Sequence, residues 1–286
     1  MGRGGLEVTE PRTQHDYGER EVAAARRVLI DLGQVLGSYL MESVVVVGGW
    51  VPDLLIVGAE EPHIGSIDVD LALNVEKLRE GRYAEIVAAM LATGRYEKTD
   101  KEFKLRAKVD LGDGGPVVSV DVDFLKPVGR VKRGGKPRLL KDFRALDADG
   151  CAAAFRHPER VEVEGPMLSG ALNHVTMLVA SIEDFLVMKA YALAGRDKPK
   201  DAYDICYCLG NVPGGVDAMA RAWRGWREDE VIVGAIACLR DKFSSVNSYG
   251  PMQVAAFYDA SSTEERQMRA RLAYELVIRF LELVES

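Results

Sequence analysis

The hydrophobic period changes once along the chain, near Ala180, and that change limits the fold class before any single residue is considered. Up to there, short β-branched runs alternate with helical stretches; beyond it, apolar residues recur only at helical spacing. Val22, Ala25, Val28, Leu29, Leu32, Val35 and Leu36 predict an amphipathic helix from about Asp16 to Leu40. "SVVVV" follows as a buried strand, which Gly48 and Gly49 end. "WVPDLLIVG" then restarts as a short helix with Pro52 in its first turn. A strand from Ser66 to Leu73, a helix from about Val75 to Ala92, and the strands "KEFKLRAKVDL" and "PVVSVDVDFL", joined by a "GDGG" hairpin, complete this part. Parallel-type units followed by antiparallel ones imply a mixed sheet. Four later segments, among them "SIEDFLVMKAYALAGR" and "STEERQMRARLAYELVIRFLELVES", read as helices. Ser181 with Asp184 begins the first, and Ser262 or Thr263 the last. The expected fold is α+β, with residues 1–16 a disordered arm, 17–180 a mixed-sheet domain and 181–286 an α-helical domain.

Composition removes several function classes. No apolar run is long enough to span a membrane, and the N-terminus lacks an apolar leader core, so the expectation is a cytoplasmic protein. Cys151, Cys206, Cys208 and Cys238 are too few and too irregularly spaced for a disulfide framework and read as reduced thiols. A net charge of -7 argues against indiscriminate coating of nucleic acid. One stretch runs the other way: Lys126 to Arg144 holds Lys126, Arg130, Lys132, Arg133, Lys136, Arg138, Lys141 and Arg144 against the single acid Asp142. It either faces a polyanion or is a solvated hairpin kept soluble by its charges.

The chemistry is concentrated in two acid pairs. Residues two apart on a strand share a face, so Asp68 and Asp70 project together, as do Asp121 and Asp123. Neighbouring strands would aim several carboxylates at one point. Such like charges repel unless a cation lies among them, and hard oxygen ligands suit Mg²⁺. Two such ions serve in-line nucleotidyl transfer, one helping to deprotonate the attacking hydroxyl and the other neutralising the leaving pyrophosphate. Gly48 and Gly49 fit, because a strand that ends in glycines and turns into a helix offers backbone N–H groups and a positive helix end to a triphosphate. There is no Gly-x-x-x-x-Gly-Lys-Ser/Thr loop, which excludes a P-loop protein. Taken singly, an Asp-x-Asp is a common accident and a glycine pair a tight turn; their order and separation make the case.

In that order, "GGWVPDLL" and "HIGSIDVDLAL" resemble the signature of nucleotidyltransferases with the DNA polymerase beta-like fold, in particular the AbiEii-type abortive-infection toxins. The resemblance implies that Gly48, Gly49 and the segment around Ser66 hold the nucleotide phosphates and that Asp68 and Asp70 bind Mg²⁺. A third metal-binding acid is implied on a later strand, matching "SVDVDFL". Asp121 or Asp123 fills that place, and the family order of Asp, one residue, then Leu points to Asp123. A second block, "MKAYALAGRDKPKDAYDICYCL", is similar to the family motif in which a Lys begins a helix, Arg and Lys follow, and "KD..D" opens the next helix. It carries over to Lys189, Arg196, Lys198, Lys200, Asp201 and Asp204. Read from spacing, Lys189 and Arg196 share one helix face and lean over a triphosphate, with Asp204 orienting Lys189. The alternative is a structural salt-bridge network joining two helices. The motifs lie between about residues 44 and 210.

The chain departs from the family where an Arg often precedes the Ser/Thr of the acid motif. Here it reads "HIGS", so that phosphate contact is missing or supplied by His63 or another residue; on spacing alone His63 is a loop residue. His15, His157 and His174 are too scattered for zinc, and Trp50, Trp223 and Trp226 read as core or interface residues. The implied function is Mg²⁺-dependent transfer of an NMP from an NTP to a hydroxyl, with the substrate between the two domains. Membership of the toxin family would add an RNA acceptor, the 3′ end of tRNA, and a cognate antitoxin, with Lys126 to Arg144 as RNA contact. One alternative is a small-molecule acceptor such as an aminoglycoside, suited to an acidic surface. Another is a non-catalytic nucleotide-binding protein, against which the retained acids, Lys189 and Asp204 speak.

Overall fold

The computed structural model describes residues 10–78, 82–128 and 143–286. Four consecutive valines leave a strand no solvent face, and β1 (Val44–Val47) is accordingly buried throughout at the inside of the sheet. Around it in chain order lie α1 (Glu19–Leu36), α2 (Tyr39–Glu42), α3 (Trp50–Leu55), β2 (Val69–Leu73), α4 (Arg82–Ala92), β3 (Tyr96–Lys98), β4 (Lys104–Val109), β5 (Val118–Pro127), β6 (Leu146–Ala148), β7 (Glu159–Pro166) and β8 (Leu172–Val179). The strand order is β3-β4-β5-β2-β1-β8-β7, with β6 pairing β5. β2 runs antiparallel to β1 and parallel to β5, whereas β4 and β5 form the expected antiparallel pair. The sheet is mixed, as its strand pattern implied. Along β5, Val120, Val122 and Phe124 point into the core, where Phe124 meets Phe143 edge-on at 5.5 Å and Tyr83 of α4 at 6.0 Å. Alternation then leaves Asp121 and Asp123 on the opposite face.

From α5 (Ile182–Gly195) the chain is helical: α6 (Pro199–Asn211), α7 (Gly215–Gly225), α8 (Glu230–Lys242), α9 (Tyr249–Phe257) and α10 (Thr263–Glu285). Ser181 and Ser262 cap α5 and α10, each accepting a hydrogen bond from the backbone N–H three residues on, Asp184 and Glu265. Trp223 is wholly buried and packs edge-on against Phe280 at 5.1 Å, so α7 and α10 share a core. Trp50 is likewise buried, while Trp226 is half-buried and stacks on His157 at 4.7 Å. The four cysteines are free thiols, and among the described residues no helix is long and apolar enough to cross a membrane.

Several expectations need correction. The first helix stops at Leu36 rather than Leu40, because Gly37 takes φ +47 and breaks it from α2. Val75 to Leu78 form a turn rather than the expected start of a helix, since the Asn74 side chain takes the N–H groups of Glu76 and Lys77, and α4 is described from Arg82. The β7–β8 hairpin, which extends the sheet from β1 through the pair Val46 and Val179, was not anticipated from the sequence. Part of the supposed disordered arm is ordered. Thr13 and Asp16 cap a 3₁₀ turn at Gln14–Asp16, Arg12 pairs with Asp197 at 3.0 Å, and Gln14 Nε2 donates to the Tyr258 carbonyl at 3.1 Å. Residues 1–9 lie outside the described residues, as does most of the basic stretch. At its two ends, Lys126 pairs with Asp147 and Arg144 with Glu102.

Candidate active site

Asp70 stands on β2 directly beside Asp123 on β5 in a parallel pair. Asp68 precedes the first residue of β2, so it is held by contacts rather than by the ladder. Ser66 Oγ donates to Asp68 Oδ1 at 2.6 Å, and the buried Trp50 Nε1–H donates to the Asp68 carbonyl at 2.8 Å. The three carboxyls answer differently to one another. Desolvation, then Asp68 and Asp123, push Asp70 up to about 7. Desolvation likewise raises Asp123 to about 6, with Asp68 adding to it against the pull of Lys104. Asp68 is lowered, because Lys198, the Ser66 hydroxyl, Lys200 and Lys104 together outweigh its desolvation.

Asp121, the other candidate for the third acid, is engaged elsewhere. Lys104 Nζ and Arg106 Nε hold it at 2.9 and 2.7 Å, across the register that sets Arg106 opposite Asp121. Asp123 Oδ1 is ion-paired with Lys104 Nζ at 3.2 Å, its one charged partner among the described residues. Asp70 has neither hydrogen bond nor ion pair among them. No three His, Cys, Asp or Glu side chains among the described residues already encircle a single point as metal ligands do. The donor chemistry nevertheless fits a hard divalent cation: oxygen-only donors, carboxyls that raise one another, and an Asp70 carboxyl with no cationic partner in hydrogen-bond reach among the described residues.

The glycine pair is required by this geometry. Gly48 has φ +70, and a Cβ there would fall on the Asp70 carboxylate. A Cβ at Gly49 would stand 2.8 Å from Lys200 Nζ and 3.0 Å from Ser66 Oγ. The turn into α3 therefore brings bare backbone against an acid, a hydroxyl and an ammonium group at once.

The second block closes into a buried network between α5 and α6. Lys189 Nζ is 2.7 Å from both Asp201 Oδ1 and Asp204 Oδ2, Lys200 Nζ is 2.7 Å from Asp204 Oδ1, and Arg196 holds Asp201 with Nε at 2.7 Å and Nη2 at 2.9 Å. Both acids are fully buried, and Lys189 and Lys200 nearly so. Despite burial, Lys189 and Arg196 hold Asp201 down to about 2, and Lys189 and Lys200 hold Asp204 well below the carboxylate range. Asp201 and Asp204 raise Lys189 despite its desolvation, whereas desolvation leaves Lys200 lowered. Arg196 is not on the same helix as Lys189: α5 ends at Gly195, and Arg196 is its extended C-cap. Lys189 faces the acids of α6, which is the salt-bridge arrangement, while Arg196 and Lys198 keep their charge toward Asp68 and Asp70.

His63 lies, as expected, in the loop between α3 and β2, but it is buried and hydrogen-bonded on both ring nitrogens. The Gly65 N–H donates to Nδ1 at 3.1 Å, which makes Nε2 the protonated nitrogen, and Nε2 donates to Asp204 Oδ1 at 3.0 Å. Burial, then the Lys200 charge, keep it neutral and lower its pKa to about 4. Sequence reasoning missed Lys104, whose signal was the basic alternation Lys104, Arg106, Lys108 facing the acidic strand. It also missed Trp50 as the support of the Asp68 backbone, and it named Asp201 in the second motif without the role the structure gives it, the shared partner of Lys189 and Arg196.

The crystal structure of JHP933 from Helicobacter pylori is similar at a TM-score of 0.44 and 10% identity, over 94% of this chain and 94% of that one. No curated protein matches. The family model described as nucleotidyl transferase AbiEii toxin, type IV TA system, matches residues 65–276. That match begins after the glycine pair and runs through α7, α8 and α9 into α10, well past residue 210, where the sequence motifs ended. The chain belongs to the nucleotidyl transferase AbiEii toxin family of type IV toxin–antitoxin systems.

Proposed function

We propose that this protein moves an NMP from an NTP to a hydroxyl of RNA, at the 3′ end of tRNA, in the cytoplasm, as the toxin partner of a cognate antitoxin. The observation that carries the reading is the side-by-side placement of Asp70 and Asp123, next to Asp68, at the turn where Gly48 and Gly49 open onto α3. In the reaction the acceptor hydroxyl oxygen bonds to the α-phosphorus, its proton leaves, and the bond to the bridging oxygen breaks to release pyrophosphate. Mg²⁺, one or two ions, would supply charge neutralisation at the phosphates and acidification of the acceptor hydroxyl. Asp68, Asp70 and Asp123 would hold it, with Ser66 fixing the Asp68 rotamer and Asp121 left to Lys104 and Arg106. Gly48, Gly49, Ser66 and Lys200 line the place for the triphosphate, and Arg196 and Lys198 add positive charge beside it. Lys189, Asp201 and Asp204 position Lys200 and Arg196 through the buried network.

The test is incubation with Mg²⁺, total RNA and each α-labelled NTP in turn, beside the variant Asp70→Ala. Label in RNA of tRNA size with the unaltered chain alone is the expected result, and it names base and acceptor together. Label transferred only to a small molecule would replace RNA by that acceptor. Nucleotide binding without transfer to either would leave a binding protein and overturn the enzymatic reading.

A further inference from the structure

Tyr17 lies outside the matched region and belongs to the N-terminal segment, yet its side chain ends in the site. The 3₁₀ turn that precedes it is pinned to the helical half by Arg12 on Asp197 at 3.0 Å and by Gln14 on the Tyr258 carbonyl at 3.1 Å. The residue is 7% exposed, its ring tilts against Phe257 of α9 at 5.8 Å, and Lys200 Nζ lies 5.4 Å from the ring centroid. That ammonium is the one facing Gly49 and Ser66. The phenol, Lys200 and the start of α3 therefore share one wall.

The hydroxyl at the end of this fixed ring is buried and has no hydrogen-bond partner among the described residues. A buried O–H left unsatisfied carries the full cost of its lost hydration, and natural structures keep few of them. The ammonium beside its ring also holds Asp204 at 2.7 Å and faces Gly49 and Ser66, so the phenol stands where the α5–α6 network meets the glycine turn. A neutral donor held there without an acceptor suits a ligand that brings an acceptor oxygen.

We propose that Tyr17 is a nucleotide-binding residue, its hydroxyl donating to an oxygen of the bound nucleoside triphosphate and completing the wall made by Gly48, Gly49, Ser66 and Lys200. The proposal rests on the nucleotidyltransferase reading and adds to it that the N-terminal segment is part of the substrate site. The test compares the full chain with Tyr17→Phe by calorimetric titration of each NTP in Mg²⁺, and by thermal melting without nucleotide. Tyr17→Phe should bind the preferred NTP about tenfold more weakly, the loss of one hydrogen bond to a charged group. Its melting temperature should be unchanged or higher, because the deleted hydroxyl satisfies nothing in the folded chain. Equal affinity in the two proteins overturns the role of Tyr17 and leaves the site reading standing, all the more if the variant also melts several degrees lower. Failure of the unaltered chain to bind any of the NTPs overturns the site reading, and this proposal with it.

Discussion

At Asp70 the folded chain keeps a proton that the unfolded chain releases near pH 3.9, because desolvation and the neighbouring Asp68 and Asp123 hold its pKa up to about 7. Between those two values the folded state binds more protons than the unfolded state, so this residue's contribution makes stability fall as pH rises, reaching its full penalty above pH 7. Asp70→Asn lacks that slope. In divalent-free buffer its melting temperature should match the unaltered chain near pH 4 and exceed it increasingly up to pH 8. Mg²⁺ added at pH 8 should narrow the gap by stabilising the unaltered chain alone. A gap that does not change with pH would show that the carboxyl is not under this repulsion. The sequence displayed the acid pair and its spacing, but not which acid carries the proton. That depends on Lys198 and Lys104, which reach Asp68 through the fold rather than along the chain, together with the neighbouring Ser66 hydroxyl.

At the scale of elements, the alternation along β5 put Asp121 and Asp123 on one face in sequence and in structure alike, and left them equivalent. Register separates them. β4 sets Arg106 opposite Asp121 and Lys104 opposite Asp123, and β2 sets Asp70 beside Asp123. Pairing register depends on the hairpin and on both neighbouring strands, so local pattern could not resolve it. The two acids should therefore fail in different ways when made neutral. Asp121→Asn takes the carboxylate from Arg106 and one of two from Lys104, and should cost about 1–2 kcal/mol of stability with much of the activity retained. Asp123→Asn removes one of three repelling charges and should leave stability equal or higher while transfer falls by orders of magnitude. Thermal melting and label incorporation on the two variants decide the matter, and the reverse pattern would make Asp121 the third acid. The α5–α6 block was more legible, because Asp201 and Asp204 lie three apart on one helix and Lys200 and Asp204 four apart. What spacing misplaced was Arg196, since the helix before it ends one residue sooner than the pattern suggested.

Across the whole molecule, one of the contacts that join the sheet half to the helical half is made by a residue that no local pattern marks. His63 sits in the connection from α3 to β2 and reaches Asp204 of α6, 141 residues away, with its ring between Tyr203 at 5.6 Å and Tyr207 at 4.9 Å. It links the segment carrying Ser66 and Asp68 to the network carrying Lys189 and Lys200. Replacing it by alanine leaves the Gly65 N–H without an acceptor, takes one donor from Asp204 and opens a cavity beside two tyrosines. The expected loss is about 2–4 kcal/mol. The pH dependence carries a signature opposite in sign to that of Asp70. Burial and Lys200 hold His63 at about 4, against about 6.5 unfolded. Between those values the unfolded chain takes up the extra proton, so the histidine's contribution is full above pH 6.5 and is lost as pH falls toward 4. The melting-temperature gap between the unaltered chain and His63→Ala should thus be widest at pH 7–8 and shrink steadily to pH 4.5. A gap that widens in acid would mean that the imidazole is charged and paired with Asp204 as an ion. The seam between the halves would then be a salt bridge rather than the neutral hydrogen bond that the Gly65 N–H dictates.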